Sequence, residues 1–426
     1  MDRFTITVTF VLLSLTTCFG QSTREQLLLN YNKAKAFYDS GDYLQSLNHF
    51  LIADSLSPSH PTITYNIAAT QALLSNYDAA AKNLSRAVLM NTSLWPEEDT
   101  DFDKLKSQNA FIELSHLKEE VEAEVAQSNI SFTLNESDLH PESIAYDETT
   151  NTFYVGSVHK NKIISYDPAT KSVQDWKTKN EDGLWAVMGM KVNEESRELW
   201  VCTTATMEMS NYDSTLEGST AVHRYNLATG EFIKRYVLNG GHWFGDLVIH
   251  PSGDVYISDS RLPIIYVIRK GEDELEVFQD FSKELYNLQG VCFDKEGKNL
   301  FIADYKTGLY RFNMNSGRLD FIKHMDRVIT KGVDGLYFYN NNLIAIHNGV
   351  KPFRVCRYLL NEDQTSIIDY EYIDKARTEL DEPTLGVLVK NRFYYVANSA
   401  WGKYDKEGNL NVEDGRKNII LGYNLD

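Results

Sequence analysis

From residue 130 onward, apolar and polar residues alternate in short runs broken by turn residues, the period-two pattern of half-buried strands. The stretch PESIAYDETTNTFYVGSVHKNKIISY (141–166) shows the unit. A strand opens at Pro141, turns at Asp147 to Asn151, resumes at Phe153 to Val155, and a third strand follows at Ile163 to Tyr166. The layout returns at 188–204, 244–260, 288–305, 333–349 and 384–399. Between the matched positions Glu142, Met188, Gly245, Gln289, Asp334 and Thr384 the steps are 46, 57, 44, 45 and 50 residues. Several short strands per period, with no helix-length run between them, predict an all-β six-bladed β-propeller. Ile130 to Leu134 stands alone before the first unit and the chain ends in the strand Asn418 to Tyr423, so these two are expected to complete the sixth blade. The turns DPATKS (167–172), NLATGE (226–231) and NMNSGR (313–318) fall at one place in three units, with Gly230 and Gly317 suited to a positive φ.

Residues 21–128 follow another period. Gly41, Tyr43, Ser46, Phe50 and Ala53 recur 34 residues later as Ser75, Tyr77, Ala80, Leu84 and Ala87. This spacing of small and aromatic positions resembles the tetratricopeptide repeat and predicts a small N-terminal all-α domain, with a third repeat in outline at 94–114 and a capping helix from Phe111 to Val125. An acidic, Ser-containing stretch then reads as a linker. Such a stack either offers a groove to a protein partner or caps the propeller.

Residues 1–20 join a short charged start to the apolar run Ile6 to Leu15. That run is too short to span a bilayer and reads as a cleaved signal peptide, giving a secreted or periplasmic protein; a lipoprotein signal at Cys18 is the weaker reading. Cys202, Cys292 and Cys356 lie in apolar strand patterns and are expected to be packed. Sixty Asp and Glu against 42 Lys and Arg, a net charge of −18, argue against nucleic acid and anionic membranes and favour cationic ligands.

In a propeller the residue opening each innermost strand points toward the channel mouth. Here that ring is Glu142, Met188, Gly245, Gln289, Asp334 and Thr384. Two carboxylates and an amide oxygen on one axis suit a hard cation. Each carboxylate alone would read as a solvated turn residue. His242, in the run NGGHWFGD (239–246), is either a proton shuttle at the rim or a packing residue beside Trp243.

The contexts PES (141–143), FGD (244–246), LQG (288–290) and VDG (333–335) resemble the strand-opening motifs of the senescence marker protein (regucalcin)/gluconolactonase family. The resemblance covers 130–426. It implies a six-bladed propeller with a divalent metal in the channel, calcium or zinc, and hydrolysis of a lactone or related ester. It also implies Glu142 and Asp334 as metal ligands, with Gln289 and Asp246 at the further ligand positions. If the cation is present, its charge would acidify a bound water, Asp334 or Glu142 could take that water's proton, and His242 could shuttle it at the rim. Gln289 stands where that family has Asn, and Gly245-Asp246 where it has Asn-Asp. These departures leave open a second reading, a non-catalytic ligand- or partner-binding propeller.

Overall fold

The structure is a computed structural model that describes residues 23–58 and 60–426; the signal-peptide expectation at 1–20 lies outside the described residues. Six antiparallel sheets stand around a channel, in the strand order of a six-bladed propeller. Blades one to six have their innermost strands at Pro141–Asp147, Ala186–Asn193, Phe244–Ile249, Leu288–Phe293, Val333–Tyr339 and Gly386–Val389. The ring closes as expected. Asn129–Leu134 forms the outermost strand of blade six, pairing antiparallel with Asn418–Asn424 from Asn129 opposite Gly422 to Leu134 opposite Asn418.

Side chains between neighbouring blades form the core. Ile144, Phe153, Val155 and Ile420 pack blade one on blade six, while Phe301, Leu336, Leu343 and Tyr358 pack blade four on blade five. The three repeated turns share one device. The carboxylate of Asp167 and the amide oxygens of Asn226 and Asn313 accept from the backbone N–H two residues on, and Lys171, Gly230 and Gly317 take the positive φ that closes each turn. Cys202, Cys292 and Cys356 are buried free thiols, as their strand pattern predicts.

The N-terminal region is helical: α1 (Thr23–Asp39), α2 (Tyr43–Leu56), α3 (Pro61–Leu73), α4 (Tyr77–Met90), α5 (Asp103–Lys106) and α6 (Asn109–Glu122). The 34-residue period is structural. Gly41 and Ser75 both turn at positive φ, Tyr43 and Tyr77 both begin a helix, and Ser46, Phe50 and Ala53 are buried like Ala80, Leu84 and Ala87. Asp42 caps α2 by accepting from Gln45 N–H at 3.1 Å.

The stretch expected to be a linker is not free. α6 ends at Glu122, and Val125–Ala126 adds a fifth strand to blade five, Val125 opposite Lys375 and Ala126 opposite Asp374. Blade five also finishes α4. Helix ends leave backbone carbonyls without intrahelical partners, and here Arg354 donates to Leu89 C=O at 2.6 Å while Lys351 N–H donates to Met90 C=O at 2.9 Å. The last turn of the helix is thus satisfied by the propeller. No helix among the described residues is long and apolar enough to cross a membrane.

Candidate functional site

The inner strands begin at one mouth of the channel, and five of the six slip register there. The pairing skips Glu142 in blade one, Met188 and Gly189 in blade two, Gly245 in blade three, Gln289 and Gly290 in blade four, and Asp334 in blade five. A β-bulge bends the strand and re-aims the residue it leaves unpaired. Glu142, Met188, Gly245, Gln289 and Asp334 accordingly line one cavity of about 570 Å³, within the usual range for small-molecule sites. Glycine beside the ring residue has a steric reason in blade four, where a Cβ at Gly290 would stand 2.4 Å from Leu336 N and 2.6 Å from Asp334 O.

Blade six lacks the bulge, and its strand starts only at Gly386. Thr384 therefore does not join the ring. Its hydroxyl donates to Glu142 C=O at 2.7 Å, and Leu385 lines the cavity instead.

Glu142 is 7% exposed, and its Oε2 accepts from Trp401 Nε1–H at 2.8 Å and from Ser399 O–H at 3.4 Å. Asp334 Oδ2 accepts from Asn348 Nδ2 at 2.9 Å. Burial first, and then the neighbouring Asp334, push the Glu142 carboxyl well above the ordinary carboxylate range. Burial first, and then Asp246, push Asp334 in the same direction. Gln289 Nε2 donates to Asn287 Oδ1 at 2.9 Å, which leaves Oε1 toward the Ser260 hydroxyl at 3.4 Å. A Cβ at Gly245 would meet that Ser260 oxygen at 2.5 Å, so the hydroxyl occupies space where a larger residue at 245 would sit. Trp243 and Trp401, ring centroids 6.1 Å apart, wall the cavity, and Arg261 and Lys306 also line it.

Asp246 lies in the same lining and is 2% exposed. Its Oδ1 is 3.2 Å from the Lys191 ammonium, which also lies 5.6 Å from the centre of the Tyr337 ring. Its Oδ2 is buried without a hydrogen-bond partner among the described residues. The channel thus carries its own cation beside Asp246. His242 is not part of the cavity lining; its Nδ1 is held by Asp259 Oδ2 at 2.7 Å. The other histidines singled out in the sequence have partners as well, His140 with Tyr404 O–H, His250 with Ser252 O–H and Gly297 C=O, and His347 with Lys331 C=O and Tyr358 O–H.

Among the described residues no three His, Cys, Asp or Glu side chains gather as a metal-holding group. The available set is two carboxylates, one amide oxygen and the unpartnered Asp246 Oδ2. A hard cation that retains several waters suits such a set, because each carboxylate raises the cost of ionising the other and a positive charge between them removes that cost. Lys191 and Ser260 gave no signal in the sequence. Trp401 did, since the run FYYVANSAW (393–401) is aromatic enough to line a ligand rim even though packing is the commoner role of such residues.

No protein-family profile matches the chain. It is 28% identical over 99 residues, 22% of the chain, to the major allergen Mal f 1 of Malassezia furfur, and the match spans 28% of that relative's length. Among solved structures, the major allergen Mala s 1 of Malassezia sympodialis superposes with a TM-score of 0.53 at 15% identity, over 70% of this chain and 96% of that one. The calcium-binding protein regucalcin of Agrobacterium tumefaciens gives a TM-score of 0.49 at 14% identity, over 70% and 93% of the two chains. At these identities the likeness is one of propeller fold.

Proposed function

We propose that the propeller is a divalent-cation-dependent hydrolase of a lactone or related ester, working at the cavity where the inner strands begin. The observation that carries this reading is the placement of Glu142 and Asp334, from blades one and five, on one 570 Å³ cavity with both carboxyls pushed upward in pKa. Glu142, Asp334 and the Gln289 amide oxygen would hold the cation, calcium before zinc. When bound, it polarises a carbonyl and acidifies a water. Asp334 would be the group that takes a proton from the attacking water, since its Oδ2 is fixed by Asn348 while Oδ1 accepts no hydrogen bond among the described residues. Trp243 and Trp401 hold the substrate ring and limit water entry. Asp246, tied to Lys191, is a support beneath the ring rather than a ligand in this reading. His242, held by Asp259, orders the loop into blade three.

A second reading, a non-catalytic propeller that binds a small molecule, is favoured by one contact. Trp401 Nε1 covers Glu142 Oε2, so the cavity is stable with that oxygen occupied. Residues 1–20 as an export signal, and the helical repeats as a tetratricopeptide-like stack for a protein partner, belong to the same proposal.

The test is thermal melting of the wild type and Asp334→Asn with calcium chloride, zinc chloride or chelator, followed by a lactone panel under pH-stat titration. A melting point raised by calcium or zinc in the wild type alone, with cation-dependent lactone opening, is the expected result. Cation stabilisation without turnover selects the second reading, and equal melting curves in all conditions refute both cation binding and hydrolysis.

A further inference from the structure

Blade two carries a second cluster of polar groups, away from the channel. Its third strand, Thr220–Asn226, and its outermost strand, Phe232–Leu238, pair with His223 opposite Arg235. Tyr225 lies on the same face as His223, the two rings stacked with centroids 6.1 Å apart. The Arg235 guanidinium lies 4.1 Å from the centre of the Trp185 ring, and its Nη1 is close enough to Gly183 that a Cβ there would meet it at 2.9 Å.

Among the described residues three side-chain donors here are buried without a hydrogen-bond partner, Arg235 Nε, Arg235 Nη2 and Tyr225 O–H, while the His223 ring lies against the Asp182 and Gly183 backbone. Tyr225 and His223 are each fully buried. The Arg235 side chain forms no ion pair or hydrogen bond among the described residues, whereas Arg197, Arg224 and Arg377 each hold a carboxylate. The carboxylates nearest the cluster are already spoken for: Lys177 Nζ is 3.0 Å from Glu181 and 2.9 Å from Asp182. Burial pulls the Arg235 pKa below its ordinary range, as expected of a cation withdrawn from water with an aromatic face but no carboxylate opposite it. Buried polar groups in folded proteins are nearly always satisfied, and three N–H or O–H donors facing no acceptor call for an acceptor. Removing a charged group from water without a partner is costly, so that acceptor is better charged than neutral.

We propose that the blade-two cluster facing the 178–185 loop takes up a small monovalent anion such as chloride through Arg235 Nε–H, Arg235 Nη2–H and Tyr225 O–H. The role is to join the outer part of blade two to the loop at 178–185. The site is independent of the cavity carboxylates and of their activity.

The test uses the full chain crystallised from sodium bromide, with anomalous scattering located at the bromine edge, and melting curves in sodium chloride against sodium gluconate at equal ionic strength. The expected result is a bromide peak within hydrogen-bond reach of Arg235 and Tyr225 and a saturable rise in melting point in chloride. Tyr225→Phe, which keeps the ring, is expected to raise the half-saturating bromide concentration by roughly three- to tenfold. Arg235→Met is expected to abolish the chloride effect; should it not fold, Tyr225→Phe decides alone. An ordered water in place of bromide, or a chloride response unchanged in Tyr225→Phe, overturns the proposal.

Discussion

Trp401 and Glu142, 259 positions apart, are joined by a 2.8 Å hydrogen bond from the indole Nε1–H to a carboxylate oxygen. The loop before the last strand is thereby fastened to the opening of the first blade. Trp401 also stands edge-on to His140 at 4.8 Å, so the ring keeps apolar contact when the bond is removed.

Trp401→Phe isolates the polar part of that link. With Glu142 pushed toward its neutral form, the bond is an ordinary one, which contributes about 0.5–1.5 kcal/mol. The expected outcome is a lower melting point and faster amide exchange across 398–417, with the rest of the propeller unchanged. Exchange equal to wild type would show that stacking alone holds the loop.

Lys191→Met removes the ammonium beside Asp246, which is 2% exposed. Breaking a buried pair at one partner costs about 3–5 kcal/mol because the other charge is left unpaired. Urea unfolding should show a loss of that order, largely restored in the double variant Lys191→Met, Asp246→Asn. Failure of the second substitution to restore stability would mean that Lys191 acts through Tyr337 instead.

Much of this arrangement was legible in the sequence. The ring could be read because each inner strand opens at the same offset from its hairpin, so Glu142, Gln289 and Asp334 fell at matched positions and the structure places them on one cavity. Thr384 failed because blade six has no bulge, and a bulge is a property of strand pairing that the spacing does not reveal. Lys191 was invisible for a related reason. The one-residue slip at Met188 and Gly189, which together oppose Cys202, turns a position that alternation would send elsewhere into a neighbour of Asp246. Val125 was read as the end of the capping helix and Ala126 as linker because a two-residue strand has no pattern of its own and exists only by pairing with blade five.

Arg354→Met probes the seat of the helices. Arg354 is 2% exposed and donates to Leu89 C=O at 2.6 Å, so its loss leaves the end of α4 short of a donor. The expected effect is a destabilisation of about 1–3 kcal/mol with early loss of helical signal on heating. Deletion of residues 21–128 should leave a chain that aggregates, because it also strips the edge strands Val125–Ala126 from blade five. A soluble, monomeric remainder with a wild-type melting point would contradict that.

His347 gives the protein an acid limit. Burial first, and then Arg354, pull its pKa down to about 3, while Nδ1–H donates to Lys331 C=O at 2.9 Å. The unfolded chain, with histidine near 6.5, binds the proton first as pH falls. Stability from the neutral ring is complete above about pH 6.5 and is lost progressively toward pH 3, about 2 kcal/mol of it by pH 5. Urea unfolding at pH 7.5 and 5.0 should show that loss, and His347→Gln should reduce it. An unchanged pH dependence in the variant would assign the acid sensitivity to other groups.

The pairing of Asn129–Leu134 with Asn418–Asn424 makes closure of the circle wait for a strand made almost 300 residues after its partner. During synthesis five blades can assemble while Leu134, Phe132 and the wall of blade one that they cover stay open to water. A chain cut before Asn418 would leave Asn129–Leu134 and Arg392–Val396 as bare flanks, so one strand decides whether the ring can shut.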